Sequence, residues 1–250
     1  MKGLKKYSHE ERQKIVEKIL PQIREKFGDN LIALAAQGSF ARGEDFDYSD
    51  LELIAFVKEM PKGKHGIGKI VDGLLIELIW TTREKYFAET LELNDMWYLS
   101  ASDKLQPIIN AEFIEDVKSY RVENLKEKCL AEAKRHWHEV QEATAKTLNA
   151  ISSENREGLP LVLFDMVRHF LISLSLLNQT PYTTFSKFIS EVRAFSIKPP
   201  EFDALLDLIV KGEYRDLQFL EEKIENVFSQ FEAIFEDLGV ELYDDEIDFD

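Results

Sequence analysis

The chain has 250 residues, 44% of them hydrophobic and 31% charged, which is the composition of a globular protein with one large domain or two ordinary ones. Its formal net charge of −16 argues against DNA or RNA as partners, because proteins bind phosphate backbones through lysines and arginines. The longest apolar stretches, at 159–164 and 170–177, are too short to cross a bilayer, and the basic N-terminus lacks the apolar region of a signal peptide.

The single cysteine, Cys129, cannot form an internal disulfide, so the expected compartment is the cytoplasm and no membrane partner is expected. Much of the negative charge lies in 243–250, a segment that we interpret as a solvated end of the chain. The net negative charge also favours a cationic small molecule over an anionic one as a partner.

The first predicted helix covers 8–27. Ser8 and Glu11 have the spacing of a capping box, and apolar residues then recur at helical spacing as far as Phe27. Pro21 falls inside this helix and should kink it or split it in two. A short apolar run at 31–36, which ends near a glycine, predicts a buried strand.

A polar loop at 38–49 leads to a second predicted strand at 51–57. The glycine- and lysine-rich segment 61–69 indicates an open, flexible connection. It does not indicate a phosphate-binding loop, because its glycines do not follow a strand at the spacing of a dinucleotide fingerprint. The third predicted strand covers 71–80, with a hairpin turn at Asp72-Gly73.

The pattern changes from strands to helices after Thr81. Residues 82–93 are predicted as a helix, and an irregular stretch that contains Pro107 follows. Long amphipathic helices are predicted at 122–150, 159–178, 183–194, 200–211 and 214–238. These elements predict an α/β domain at 1–122 and an all-helical domain at 123–250.

The segment 38–53, which reads GSFARGEDFDYSDLEL, carries the candidate chemistry. Residues two apart on a strand point to the same face, so Asp50 and Glu52 lie together, about 6 to 7 Å apart along the backbone. Two carboxylates at this spacing repel each other unless a cation lies between them. Mg²⁺ prefers a few carboxylate oxygens and leaves its other positions to water and phosphate, so the pair predicts a Mg²⁺ site.

Three residues just upstream complete a predicted nucleoside triphosphate site. Gly38 permits a sharp turn and a close approach of the backbone to phosphate, and Ser39 offers a hydroxyl and an N–H donor. Arg42 can neutralise the charge of a β- or γ-phosphate. Glu77 stands in an apolar strand, where it either faces solvent or shares the metal of the acid pair, and the preceding motif favours the metal.

A Gly-Ser turn followed by a strand-borne Asp-x-Glu resembles the signature of the DNA polymerase beta-like nucleotidyltransferase superfamily. The chain is most similar to the kanamycin, or aminoglycoside, nucleotidyltransferase family, with which it shares its length and several segments. Those segments are 10–16, 38–50, the helix that bears Glu139, Glu142 and Lys146, and the loop 182–184. The resemblance implies an α+β fold, in which a nucleotidyltransferase-fold mixed β-sheet domain with flanking helices is followed by an all-helical up-and-down bundle.

The resemblance also implies roles for individual residues. Mg²⁺ is implied to be bound by Asp50, Glu52 and Glu77, and the triphosphate by Gly38, Ser39, Arg42, Lys146 and Thr184. Glu142 is implied to be the general base that takes the proton from the acceptor hydroxyl. Glu139, Glu142 and Lys146 do share one helix face by their spacing, but a solvated, salt-bridged face has the same spacing.

The implied reaction is transfer of AMP from ATP to a hydroxyl of a small molecule, an aminoglycoside such as kanamycin, with release of pyrophosphate. The implied role is antibiotic resistance, and the implied assembly is a homodimer in which Glu142 can come from the partner subunit. Two alternatives stay open: a housekeeping nucleotidyltransferase with another acceptor, and an antitoxin-like or regulatory binding module on the same fold.

Overall fold

A computed structural model describes residues 3–101 and 104–243, so all but the first residue of the acidic end predicted at 243–250 lies outside the described residues. The chain forms two compact units, Met1–Val122 and Glu123–Asp250, and each is described by itself.

The first unit begins with helix α1, His9–Phe27. Its capping box is the predicted one: the Ser8 side chain accepts the backbone N–H of Glu11, and the Glu11 carboxylate accepts the backbone N–H of Ser8. Pro21 does not split the helix, contrary to one of the two predicted outcomes, because it is exposed and removes only a single N–H from the helical ladder. Val16 and other apolar residues face the sheet.

The sheet is mixed, as predicted. Its strands are β1 Leu31–Gln37, β2 Leu51–Val57, β3 Gly66–Val71, β4 Leu74–Thr81 and β5 Gln106–Ile109, in the order β3-β4-β2-β1-β5. Strands β2 and β4 pair in parallel and the other neighbours pair antiparallel. One face of the sheet packs against α1, and the other packs against helix α5, Ala111–Lys118, and the Tyr86 ring. The sheet is therefore buried on both sides at its centre.

Both edge strands contain residues that sequence patterns place in loops. Residues 66–69 belong to β3 and not to an open connection, and Pro107 lies within β5 and not in an irregular stretch. Nearly every side chain of β3 is exposed, so its sequence lacks the apolar alternation of a half-buried strand. Proline is tolerated at an edge such as β5, where no ladder hydrogen bond is required of its nitrogen. The predicted hairpin turn at Asp72-Gly73 is confirmed, with positive φ at both residues.

Short helices fill the remaining parts of this unit. Residues Gly38–Arg42, predicted as loop, form helix α2, and the helix predicted at 82–93 is α3, Arg83–Tyr86, continued by a π-helical turn, Phe87–Leu91. Helix α4 covers Trp97–Ser100.

The second unit is all-helical in its described residues, as predicted. Its helices are α6 Leu125–Ser152, α7 Leu159–Leu177, α8 Phe188–Val192, α9 Phe202–Lys211 and α10 Leu217–Asp237, with a 3₁₀ turn at Phe185–Lys187. Helices α6 and α7 run antiparallel, since Thr147 contacts Val162 and His136 contacts His169. Trp137 on α6 packs against Phe235 on α10 in the centre of this unit.

Helix α7 is longer and more apolar than the stretches considered in the sequence. Among the described residues it is the one helix with the length and composition to cross a bilayer, with a mean hydropathy of 1.6. Polar residues such as Asp165 and Arg168 interrupt its apolar run, which is why the sequence shows two short stretches. Within the unit 67% of the apolar window is buried, as in the core helix of a globular domain.

Candidate active site

The acids predicted to bind a metal converge on one face of the sheet. Glu52 on β2 lies directly opposite Glu77 on β4 in the parallel ladder, and Asp50 immediately precedes β2. One carboxylate oxygen from each of the three residues lies within 4.8 Å of the other two, and all three residues are half-buried. The strand register therefore produces the convergence that the alternation of Asp50 and Glu52 predicts, and it adds Glu77 to the pair.

Three half-buried carboxylates at this separation repel one another when all are ionised. A divalent cation among the oxygens removes that repulsion, and oxygen ligands of this kind suit Mg²⁺ or Mn²⁺. The donor set therefore fits a hard divalent ion, with positions left over for water and phosphate.

The Gly-Ser bend lies beside the acids, as predicted. Gly38 has a φ of +67°, in the left-handed region, and a Cβ built on it would lie 1.7 Å from Oε2 of Glu52. Any side chain at position 38 would therefore occupy the position of the Glu52 carboxylate. Ser39 follows in the first turn of α2, so its hydroxyl and backbone N–H are carried next to this bend.

Arg42 lies at the end of α2, where its Nε donates to a carboxylate oxygen of Glu44 at 3.1 Å. Its side chain is only 6% exposed, so the guanidinium is held against the protein surface. An incoming phosphate would compete with Glu44 for this guanidinium.

A second glycine, which the sequence analysis does not predict as part of the site, lies close to the acids. Gly68 on β3 pairs with Glu77, and a Cβ on it would lie 3.4 Å from Oε1 of Glu77. Gly66 pairs with Ile79, two residues further along β4 on the same face. The sequence signal is the pair of glycines two residues apart, which leaves one face of a strand bare, but it is readable only once the segment is known to be a strand.

The remaining predicted residues belong to the second unit. Glu142 and Lys146 form an ion pair on α6, with 2.8 Å between a carboxylate oxygen and Nζ, and their side chains are 58% and 55% exposed. The hydrogen bond from Lys146 lowers the pKa of Glu142, so this carboxylate stays ionised to a lower pH than an unpaired glutamate. Thr184 is half-buried and precedes the 3₁₀ turn Phe185–Lys187.

Two histidines of the second unit form a pair that their spacing in the sequence does not indicate. The His136 and His169 rings stack with centroids 5.0 Å apart, and Nδ1 of His169 lies 3.1 Å from Nε2 of His136. Arg168 donates to Nε2 of His169, which makes the pair a poor cation site. Burial, followed by the neighbouring His169, lowers the pKa of His136 to about 4.

The chain is similar to known proteins over most of its length. The family described as the KNTase C-terminal domain matches residues 112–241. Two aminoglycoside nucleotidyltransferases (4'), from a Bacillus species and from Staphylococcus aureus, are 25% identical over 241 residues, which covers 89% of this chain and 89% of each relative.

Two further proteins are similar over shorter or more divergent regions. A Methanocaldococcus jannaschii protein, provisionally named a protein adenylyltransferase, is 35% identical over 66 residues, which are 26% of this chain and 45% of that relative's length. A nucleotidyltransferase-like protein of Exiguobacterium sibiricum, known from its crystal structure, has a TM-score of 0.48 at 12% identity and covers 89% of this chain and 75% of that one. The three relatives found by sequence similarity are named as nucleotidyl- or adenylyltransferases, so they support nucleotidyl transfer.

Proposed function

The chain belongs to the family described as the KNTase C-terminal domain, and from that premise we propose that it is a Mg²⁺-dependent nucleotidyltransferase acting on a small molecule. It transfers AMP from ATP to a hydroxyl of the acceptor, and pyrophosphate leaves. The similarity to two aminoglycoside nucleotidyltransferases supports an aminoglycoside as the acceptor, which would give the protein a role in antibiotic resistance.

The observation that carries this proposal is the convergence of the three acids beside the Gly-Ser bend. In the proposed assignment, Asp50, Glu52 and Glu77 hold Mg²⁺, which when bound neutralises charge that grows on the phosphate oxygens. Gly38 and Ser39 bring backbone and hydroxyl donors to the triphosphate. The unit 1–122 is thus proposed as the domain that binds the nucleotide and the metal.

The helical unit, 123–250, is proposed to supply the groups that act on the acceptor and the leaving group. Glu142 takes the proton from the acceptor hydroxyl as that oxygen attacks the α-phosphorus. Lys146, Thr184 and, from the first unit, Arg42 stabilise the triphosphate and the departing pyrophosphate. We propose a homodimer, in which Glu142 can come from either subunit, and a cytoplasmic location, where the buried thiol of Cys129 stays reduced.

The test is transfer of label from α-labelled ATP, in the presence of Mg²⁺, to a panel of aminoglycosides that includes kanamycin. We expect labelled acceptor and an equal amount of pyrophosphate, and we expect EDTA to stop both. Binding of ATP without label transfer to any small molecule or protein would contradict the proposal and favour a regulatory binding module. Transfer to cell-extract metabolites but to no aminoglycoside would favour a housekeeping enzyme.

A second candidate is transfer of AMP to a hydroxyl of a protein. The similarity to the Methanocaldococcus jannaschii protein supports this candidate. The chemistry at the acids is the same, and only the acceptor differs. Incubation of the purified chain with α-labelled ATP and a cell extract separates the two, since labelled bands on a denaturing gel would show a protein acceptor.

A further inference from the structure

Arg12 is a charged residue on α1 whose side chain is completely buried in the first unit. Its guanidinium donates to three backbone carbonyls of the loop that leads into β2. Nη2 lies 2.7 Å from the oxygen of Phe46, 3.3 Å from that of Asp47 and 2.7 Å from that of Ser49. Nε lies 3.1 Å from the same Ser49 oxygen, so this one carbonyl accepts two hydrogen bonds from the planar guanidinium.

The opposite edge of the guanidinium is also occupied. Nη1 donates to the backbone oxygen of Tyr7 at 2.8 Å and to Oδ2 of Asp45 at 2.9 Å. The Asp45 side chain is 1% exposed, and its other oxygen lies 2.7 Å from Nδ1 of His9. All three nitrogens of Arg12 are therefore used, and its buried charge is balanced by a buried carboxylate.

The distribution of these hydrogen bonds indicates what the residue does. Neutralising Asp45 requires only one edge of the guanidinium, yet four of the six hydrogen bonds go to carbonyls of the loop. Ser49 is the residue before Asp50, so its carbonyl belongs to the peptide group that also contains the Asp50 nitrogen. Two hydrogen bonds to that carbonyl fix the plane of the peptide and hence the direction in which the Asp50 side chain leaves the backbone.

We propose that Arg12 is a positioning residue that holds Asp50 in the orientation needed to complete the three-acid metal site. The proposal rests on the proposed function in that the site is taken to bind a divalent ion. Arg12 touches none of the three acids of the metal site. It acts through the loop, as outer groups around metal ligands commonly do, and loss of such groups typically costs about 10- to 100-fold in metal affinity.

The test measures Mn²⁺ affinity of the full chain without nucleotide, from the decrease of the free-ion EPR signal during titration. Arg12→Lys keeps a buried cation for Asp45 but cannot make the paired bonds to the Ser49 carbonyl, because an ammonium lacks the planar fork. We expect its Mn²⁺ dissociation constant to rise about tenfold. Arg24→Lys, the same exchange on an exposed turn of α1, is the matched control and should bind Mn²⁺ as the wild type does.

Asp45→Asn separates positioning from stability. This variant leaves the Arg12 guanidinium and its bonds to the loop carbonyls in place but removes the buried negative charge. We expect a lower urea midpoint with a Mn²⁺ dissociation constant within about twofold of the wild type, since among the described residues the Asp45 carboxylate forms hydrogen bonds only with the side chains of Arg12 and His9. If both variants weaken Mn²⁺ binding in proportion to their loss of stability, Arg12 is merely structural and the proposal is overturned.

A folded Arg12→Lys protein with unchanged Mn²⁺ affinity would also overturn it. Should Arg12→Lys fail to fold, the double variant Arg12→Gln with Asp45→Asn, which removes both buried charges together, is measured with the same expectation. The proposed reaction can fail separately: a wild type that binds Mn²⁺ but transfers no label refutes the enzyme and leaves the role of Arg12 intact. If the wild type binds no more Mn²⁺ than Asp50→Asn does, the metal site and the role of Arg12 are refuted together.

Discussion

The two units hold their charged groups in different ways. In the first unit, the three acids are half-buried, the strand ladder places Glu52 against Glu77, and Asp50 directly precedes β2. In the second unit, Glu142 and Lys146 are more than half exposed on α6, where each is held chiefly by the other. Backbone pairing prearranges the acids, whereas the helix face can change its side-chain rotamers at little cost.

This difference suggests a division of labour. A metal and a triphosphate carry concentrated charge and need ligands at set distances, which a sheet provides. In the proposed function the base is Glu142, and an exposed carboxylate on a helix can adjust its position to the acceptor. The first unit should therefore respond sharply to small changes in its side chains, and the second should respond only when the functional group itself is removed.

The largest effect is expected from Asp50→Asn. The substitution keeps the size of the side chain but removes one of the three charges that favour a divalent ion, so we expect transfer to fall by about a thousandfold or more. Asp47→Asn, which alters an exposed carboxylate of the same loop, should leave the rate within about twofold. Label transfer and circular dichroism are the measurements. Near-normal transfer by folded Asp50→Asn protein would rule out the metal assignment.

A smaller loss is expected from Glu142→Gln, because a general base typically contributes about 100-fold or more while binding of ATP and the metal stays intact. Glu139→Gln changes a carboxylate three residues away on the same helix and serves as the matched control. We expect kcat to fall for Glu142→Gln with little change in KM for ATP, and neither constant to move much for Glu139→Gln. Equal losses for both variants would point to a general electrostatic effect of the face and not to a base.

The features that can be predicted from the sequence are the local ones. The alternation at Asp50 and Glu52, the capping box at Ser8 and the hairpin turn at Asp72-Gly73 depend on neighbouring residues, and all three are found in the structure. The place of Glu77 depends on which strand pairs with β2, a long-range choice that the family resemblance supplied and periodicity could not.

Local sequence patterns do not predict the edge strands or the contacts between distant residues. β3 and β5 bury too little surface to show an alternating pattern, so they resemble loops in the sequence. The contact between His136 and His169 joins two helices, and no spacing along either helix indicates it. The same holds for Arg12, whose partners in the loop before β2 lie more than 30 residues further along the chain.

The burial of His136 in the second unit predicts that the stability of the protein depends on pH. Burial lowers the pKa of His136 to about 4 from an ordinary 6.5, so the unfolded chain binds a proton at a pH where the folded chain does not. This contribution to stability is complete above about pH 6.5 and is lost as the pH falls towards 4. Discounted for the partial exposure of the ring, the loss should be about 2 kcal/mol.

Urea unfolding followed by circular dichroism at pH 7.5 and pH 5 measures the part of that loss that occurs above pH 5, and His136→Gln should show a smaller difference between the two conditions than the wild type. His138→Gln, which alters an exposed histidine of the same helix, should keep the wild-type difference. His169 also has a pKa lowered chiefly by burial, so part of the pH dependence should survive in His136→Gln. Identical pH dependence in His136→Gln and the wild type would show that His136 is not the group responsible.

The smallest effect is the one that best isolates the geometry of the first unit. Gly38 and Gly43 both have a positive φ, +67° and +68°, a region that alanine rarely adopts, so an alanine at either position is strained. They differ in their surroundings: a Cβ at position 38 meets the Glu52 carboxylate, whereas a Cβ at position 43 meets nothing within 4 Å. Gly38→Ala must therefore displace a metal ligand, and Gly43→Ala must not.

We expect both variants to lose stability, each by about 1 kcal/mol, because alanine is strained at a positive φ. Only Gly38→Ala should weaken Mn²⁺ binding, by about tenfold, since the flexible Glu52 side chain can move away from the methyl group but not without leaving its place among the acids. Gly43→Ala therefore controls for the strain of an alanine at a positive φ, and the difference in Mn²⁺ affinity between the two variants reports the contact with Glu52. Equal Mn²⁺ affinities would mean that Glu52 can satisfy the ion from a second position, and the sheet would then be less restrictive than its register suggests.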